Sequence, residues 1–170
     1  MEEEMWAADE IEATVSGLFT TRHRLRAATG SLGEFTLPAL RSDGIFRTRE
    51  GRELEVRRTS WWRGEYELRE GEAVLGTARA RGAFRREIVV EFDGREYTLR
   101  AAGFWARRWQ LLDEGGTCVL EIEPQGVFRR GAYLTIHGPV NADLLVFAYY
   151  LVHMRWQEQS AAAGAAAAAS

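Results

Sequence analysis

The sequence predicts a mainly β fold, a closed antiparallel barrel around a hydrophobic C-terminal α-helix. Three observations carry that expectation. Between about Thr20 and His137 apolar and polar residues alternate at period two in short runs. Acidic-glycine pairs punctuate those runs as hairpin turns. Near the C-terminus, Leu144 to Val152 is apolar at nine successive positions, so a helix there has no polar face and must be enclosed. A closed sheet of many strands can hold such a helix in its lumen.

The chain of 170 residues is read as one domain, residues 17–158, flanked by an extension (1–16) and an alanine-rich tail (159–170). The extension is acidic from Glu2 to Glu4, which suits the positive end of a short surface helix over residues 2–13. Strands follow at Glu34–Leu37, Ile45–Thr48, Leu54–Thr59, Tyr66–Leu68 and Val74–Ala80. Clearer ones come next: Ile88, Val90 and Phe92 share one face, Tyr97 and Leu99 another. Cys118, Leu120 and Ile122 alternate with Val119 and Glu121, and Ala132, Leu134 and Ile136 with Tyr133 and Thr135. Roughly eleven strands result, at the ~8–12-residue spacing of a sandwich or barrel.

Asp93-Gly94 is the strongest hairpin signal, because a type I′ turn needs positive φ at both central residues. Glu50-Gly51, Glu70-Gly71 and Glu114-Gly115 resemble it. The connections between these hairpins are arginine- and aromatic-rich, and Arg41, Arg63, Arg85, Arg107 and Arg129 recur at steps of 22 residues. In an antiparallel meander successive connections alternate between the two ends of the sheet. The acidic turns are therefore expected at one end and the arginines at the other. Parity aims Arg86 (with Ile88), Arg130 (with Ala132) and Arg107 (with Trp109) over the core mouth, and Arg85, Arg108 and Arg129 outward.

Asn141 is placed to cap the helix and Asp143 to complement its dipole, with the helix running over about 142–158. His153, Arg155 and Glu158 arrive too soon for a span of ~20 apolar residues. Burial inside the barrel is the main expectation, and a membrane contact the alternative.

Composition removes whole classes of chemistry. All 22 basic side chains are arginine, which excludes a lysine Schiff base and a Walker A loop. That bias, beside abundant Ala and Gly, suggests a GC-rich bacterial genome. A net charge of −3 argues against a nucleic-acid coat. One cysteine, Cys118, excludes an internal disulfide and a thiolate metal cage; it is expected as a buried inert thiol on the apolar face. His23, His137 and His153 fall on separate elements without metal-ligand spacing, so they read as structural, with no metal and no cofactor. Trp61, Trp62, Trp105 and Trp109 offer stacking platforms, but packing in the core or at a barrel end is the stronger reading. The acidic N-terminus lacks the charge pattern of a secretory signal, which makes the expected compartment cytoplasmic, with peripheral contact at a membrane allowed.

The order of short strands, the stretch Asp93-Gly94-Arg95-Glu96-Tyr97-Thr98-Leu99 and the terminal hydrophobic helix resemble the tubby C-terminal-like superfamily, which includes LURP-one-related proteins and phospholipid scramblases. The resemblance spans roughly residues 18–158 and implies a twelve-strand barrel around a central C-terminal helix, against which the count here is about 11–12. It also implies lipid binding through basic side chains. No calcium loop or cysteine-rich segment is present to carry over calcium binding or lipid modification. The function read from the sequence is a non-catalytic binding module. Its ligand would be anionic, a phospholipid headgroup or an acidic partner surface, held at the end bearing Arg63, Arg85, Arg86, Arg107, Arg108, Arg129 and Arg130. Rival readings are a membrane-associated protein that inserts its C-terminal helix and a purely structural or interaction role. The dull account of the arginines is pairing with Glu65, Glu87 and Glu123 or capping of carbonyls at the helix's carboxyl end.

Overall fold

The computed structural model describes residues 10–17, 20–38, 43–82, 86–103, 107–126 and 130–169. Twelve strands run β1 (Glu10–Ser16), β2 (Thr20–Ala27), β3 (Gly30–Pro38), β4 (Gly44–Thr48), β5 (Glu53–Ser60) and β6 (Glu65–Glu70), then β7 (Ala73–Arg81), β8 (Glu87–Phe92), β9 (Arg95–Ala102), β10 (Arg108–Leu112), β11 (Cys118–Pro124) and β12 (Gly131–Ile136). Each pairs antiparallel with its neighbours in sequence, and β1 pairs with β12, so the sheet closes into a barrel. Closure leaves no strand edge unpaired. One helix, α1 (Ala142–Ala168), follows.

The strand absent from the sequence reading is β1. Residues 10–16 are not part of a surface helix; Ile11 lies opposite Leu134 and Ala13 opposite Ala132, and both Ile11 and Ala13 are fully buried. Tertiary pairing outweighs the helix preference of the acidic stretch, because this strand is what seals the sheet. Residues 1–9 lie outside the described residues.

A barrel of about eight strands is just filled by its own side chains, so twelve leave room for a helix ~10 Å across. Leu144 to Val152, the nine residues weighed for a membrane contact, all lie inside the barrel. No described helix is long and apolar enough to cross a membrane. Inward-facing positions on the strands, such as Phe35, Val56, Leu68, Val90 and Leu111, pack around that core. The helix starts as expected: Asn141 Oδ1 accepts from the backbone N–H of Asp143 at 2.8 Å. The Asp93-Gly94 turn also forms, with φ of 49° and 70°.

Of the two fates open to the alanine-rich tail, extending the helix or fraying, the first is found: α1 continues past residue 158 to Ala168, and Gln159 to Ala169 are exposed. Twenty-seven residues span ~40 Å at 1.5 Å per residue, more than tilted strands of 5–9 residues can enclose. Alanine's high helix propensity lets the turns persist beyond the barrel mouth.

Candidate functional site

The meander sorts the connections as parity predicts. The acidic-glycine turns join β4–β5, β6–β7, β8–β9 and β10–β11 at the end where α1 begins. The strand ends that flank the arginine-rich connections lie at the opposite mouth, where the helix emerges. Charge is less segregated than the turns suggest. At the acidic end Arg52 bridges Glu70 (2.8 Å) and Asp143 (3.0 Å), tying a turn to the helix start. Its guanidinium holds the Glu70 carboxyl below the usual range.

At the other mouth the described arginines take different roles. Arg63 is exposed in the β5–β6 turn, where its N–H donates to Ser60 Oγ at 3.3 Å. Arg86 Nη2 donates to the Gly103 carbonyl at 2.8 Å. Arg108 leans outward and comes within 3.9 Å of Glu121. Arg107 and Arg130 both line one cavity. Neither guanidinium forms an ion pair with a described residue. Arg41, Arg85 and Arg129 lie outside the described residues. Pairing with a nearby acid describes Arg108, through Glu121; Glu65, Glu87 and Glu123 take up no described arginine, and no described acid pairs with Arg107 or Arg130.

This cavity holds about 710 Å³ and opens to solvent between the emerging helix and the ends of β1, β2, β10, β11 and β12. Seven helix residues line it, among them Tyr149, His153, Trp156, Ser160 and Ala163, with Gln157 and Gln159 beside them. The spacing of the first five, by four, three, four and three, puts them on one stripe of the helix. The indole N–H of Trp156 donates to the Arg107 carbonyl at 3.0 Å, fixing the ring at the rim. On the opposite side the helix is tied to β5: Glu158 accepts from Arg58 at 3.1 Å and from Arg155 at 2.6 Å. Arg58 also stacks over Tyr66, 5.3 Å from the ring centre. The helix is thus tied to β5 on one side and, through Trp156, to the start of β10 on the other, and the gap lies beside that second contact.

Two histidines that the sequence separates meet below this gap. His23 on β2 is fully buried, and its ring centre lies 4.3 Å from that of His153. The Tyr149 hydroxyl sits 2.6 Å from His23 Nδ1, Thr21 Oγ1 lies 3.3 Å from Nε2, and Thr21 in turn donates to the Leu37 carbonyl at 3.4 Å. With the threonine proton committed to Leu37, the His23 Nε2–H donates to Thr21 and Nδ1 accepts from Tyr149. His23 is thereby neutral. Burial, then the neighbouring His153, depresses its pKa to about 3, and burial depresses that of His153 to about 4. His153 Nε2 is buried without a partner among the described residues.

Sequence reasoning missed this pair because residues 23 and 153 come together only through the fold. One signal was available: His23 shares parity with buried Leu25, and His153 follows Tyr149 by four residues. Among the described residues no three His, Cys, Asp or Glu side chains gather as a metal site. Cys118 is half-buried, not fully enclosed. A register shift between Leu111 and Leu112 breaks the alternation and turns Val119 inward beside Leu120. The thiol donates to the Leu120 carbonyl, and burial pushes its pKa up. Trp109 is core, but Trp61 and Trp62 depart from the packing expectation, at 64% and 82% exposed on a turn tip. Trp105 lies outside the described residues.

Fold and site together define a twelve-strand closed barrel with a helix-filled lumen and a recess framed by two arginines at the helix exit. Comparison with protein-family models, with curated proteins and with solved structures finds no match for the chain.

Proposed function

We propose that this protein is a non-catalytic binding module for an anionic ligand, such as a phospholipid headgroup, taken at the arginine-rich end of the barrel. The observation that carries this reading is the pair Arg107 and Arg130, free of ion pairs with described residues and lining the same solvent-open cavity. A guanidinium left unpaired at a recess offers fork-like donors to phosphate or carboxylate oxygens. The two residues flank the end of β11, so their backbones stand two strand spacings apart, about 10 Å. Side chains of arginine length can converge across that distance on one anion. The resemblance to the tubby C-terminal-like superfamily supports the same ligand class.

Vesicle flotation tests the reading. The protein is expected to float with vesicles rich in anionic lipid and to stay behind with neutral ones, and added salt should weaken the association. The double variant Arg107→Ala/Arg130→Ala should lose most of the difference. Equal behaviour of wild type and variant towards both vesicle types would remove the proposal.

A further inference from the structure

The cavity is far larger than an anionic group alone requires. A phosphate or carboxylate between Arg107 and Arg130 would occupy a small part of about 710 Å³, a volume within the range of sites that enclose whole small molecules. The remainder is bordered by Val15, Pro124, Tyr149, Trp156 and Ala163, with the polar Thr21, His153, Gln157, Gln159 and Ser160 among them. Charge at the rim and a largely apolar surface behind it match a molecule with an ionised head and a hydrocarbon body.

We propose that this recess binds one molecule of a single-chain anionic amphiphile, a carboxylate or phosphate head on an alkyl chain, with the head between Arg107 and Arg130 and the chain along the helix stripe. This rests on the reading of those two arginines as an anion site and narrows it from a headgroup at a surface to an individual molecule enclosed by the protein. The helix geometry favours enclosure. Because Glu158 and Arg155 hold α1 against Arg58 on β5, the stripe from Tyr149 to Ala163 faces a standing gap that requires no rearrangement to be filled. A preformed gap lowers the ordering cost of binding. Burial of the chain replaces exposed apolar wall with protein–ligand contact, while the head supplies charge-assisted hydrogen bonds.

Calorimetric titration with dodecanoate and dodecyl phosphate, kept below their micelle-forming concentrations, tests the proposal. Inorganic phosphate and dodecanol serve as head-only and chain-only probes. One molecule of either anionic amphiphile is expected to bind per protein. Arg107→Ala/Arg130→Ala should weaken it by about tenfold or more, the scale of one lost charge-assisted hydrogen bond. Ser160→Trp, which places bulk in the recess from an exposed helix position without touching either arginine, should weaken it comparably. Inorganic phosphate binding as tightly as dodecyl phosphate, or arginine-dependent vesicle flotation with no binding of the monomers, would overturn the enclosed amphiphile and leave the anion site standing. Dodecanol binding as tightly as dodecanoate, with no effect of the arginine substitutions on either probe or on vesicles, would overturn both.

Discussion

The hydroxyl of Tyr149 donates a 2.6 Å hydrogen bond to Nδ1 of His23, joining helix and barrel wall across 126 residues of sequence. It is a polar junction within the buried part of the helix–barrel interface. The chain Tyr149 to His23 to Thr21 to the Leu37 carbonyl is satisfied at every link, which is what makes a polar group tolerable there.

Tyr149→Phe keeps the ring and removes the donor, leaving His23 Nδ1 as a buried acceptor without a partner. An unsatisfied buried group of this kind costs about 1–3 kcal/mol. Urea denaturation should show that loss as a lower midpoint at unchanged slope. A variant as stable as wild type would mean that the hydroxyl and imidazole are not coupled in solution.

The histidine pair makes stability depend on pH in a defined window. Both folded pKa values, about 3 for His23 and about 4 for His153, lie below the ordinary 6.5. As pH falls below 6.5 the unfolded chain takes up protons that the folded protein refuses, so folding stability declines through that window. The decline continues until the folded values are reached, and above 6.5 the pair contributes no pH dependence. Arg107 and Arg130, at the cavity that His153 lines, and neutral Tyr149 and Thr21 supply no counter-charge for an imidazolium. At pH 5.5 the expected loss is about 1 kcal/mol for each histidine. Urea midpoints at pH 7.0, 6.0 and 5.0 should fall in order for wild type, and His153→Phe should flatten part of that slope. Superimposable curves for the two proteins would rule out burial of His153 in its neutral form.

Local chemistry explains which parts of this arrangement could be read in advance. Arg107 and Arg130 follow from strand parity with Trp109 and Ala132, because alternation is a property of the backbone alone. The Asn141 cap and the Asp93-Gly94 turn are equally local. β1 was hidden because Glu10 and Glu12 follow an acidic run that suits a helix start, whereas its strand identity comes from pairing with residues 131–135. The recess was hidden for a related reason. It lies on the side of α1 away from the Arg58–Glu158 pair, and no periodicity in the sequence records which wall a helix leans on.

Gly33 holds the β3–β4 pair together by lacking a side chain. Its φ is +148°, and a Cβ there would lie 2.3 Å from the Arg47 carbonyl oxygen and 2.6 Å from the Phe46 ring. Backbone and a packed ring cannot both yield, so Gly33→Ala should cost about 3 kcal/mol or more, combining conformational strain with overpacking. Gly94→Ala is the matched control. Its φ is +70° with nothing within 4 Å of the added carbon, so only the left-handed conformation is penalised, at about 1 kcal/mol. Thermal or urea unfolding of both variants separates the two effects; equal losses would show that the close approach at Gly33 relaxes freely.

Glu158 neutralises two guanidiniums at once, and both are nearly enclosed: the Arg58 and Arg155 side chains are 8% and 6% exposed. Arg58 Nε and Arg155 Nη2 lack partners among the described residues, so the carboxylate is the main compensation there for two desolvated charges. Glu158→Ala leaves like charges facing each other at the barrel mouth. Removing one partner of a fully buried pair costs ~3–5 kcal/mol. Glu158 itself is about one-third exposed, and water screens part of the interaction, which brings the expected loss to about 2 kcal/mol. Glu158→Gln keeps an acceptor oxygen for one guanidinium and should lose less. If the tether also fixes where the helix stands, amide exchange should rise around residues 153–158 in Glu158→Ala while the amides of Leu144 to Val152, deep in the barrel, stay protected. Unchanged stability together with unchanged exchange would show that apolar packing alone positions the helix, and that the gap beside Tyr149 and Trp156 owes nothing to Arg58.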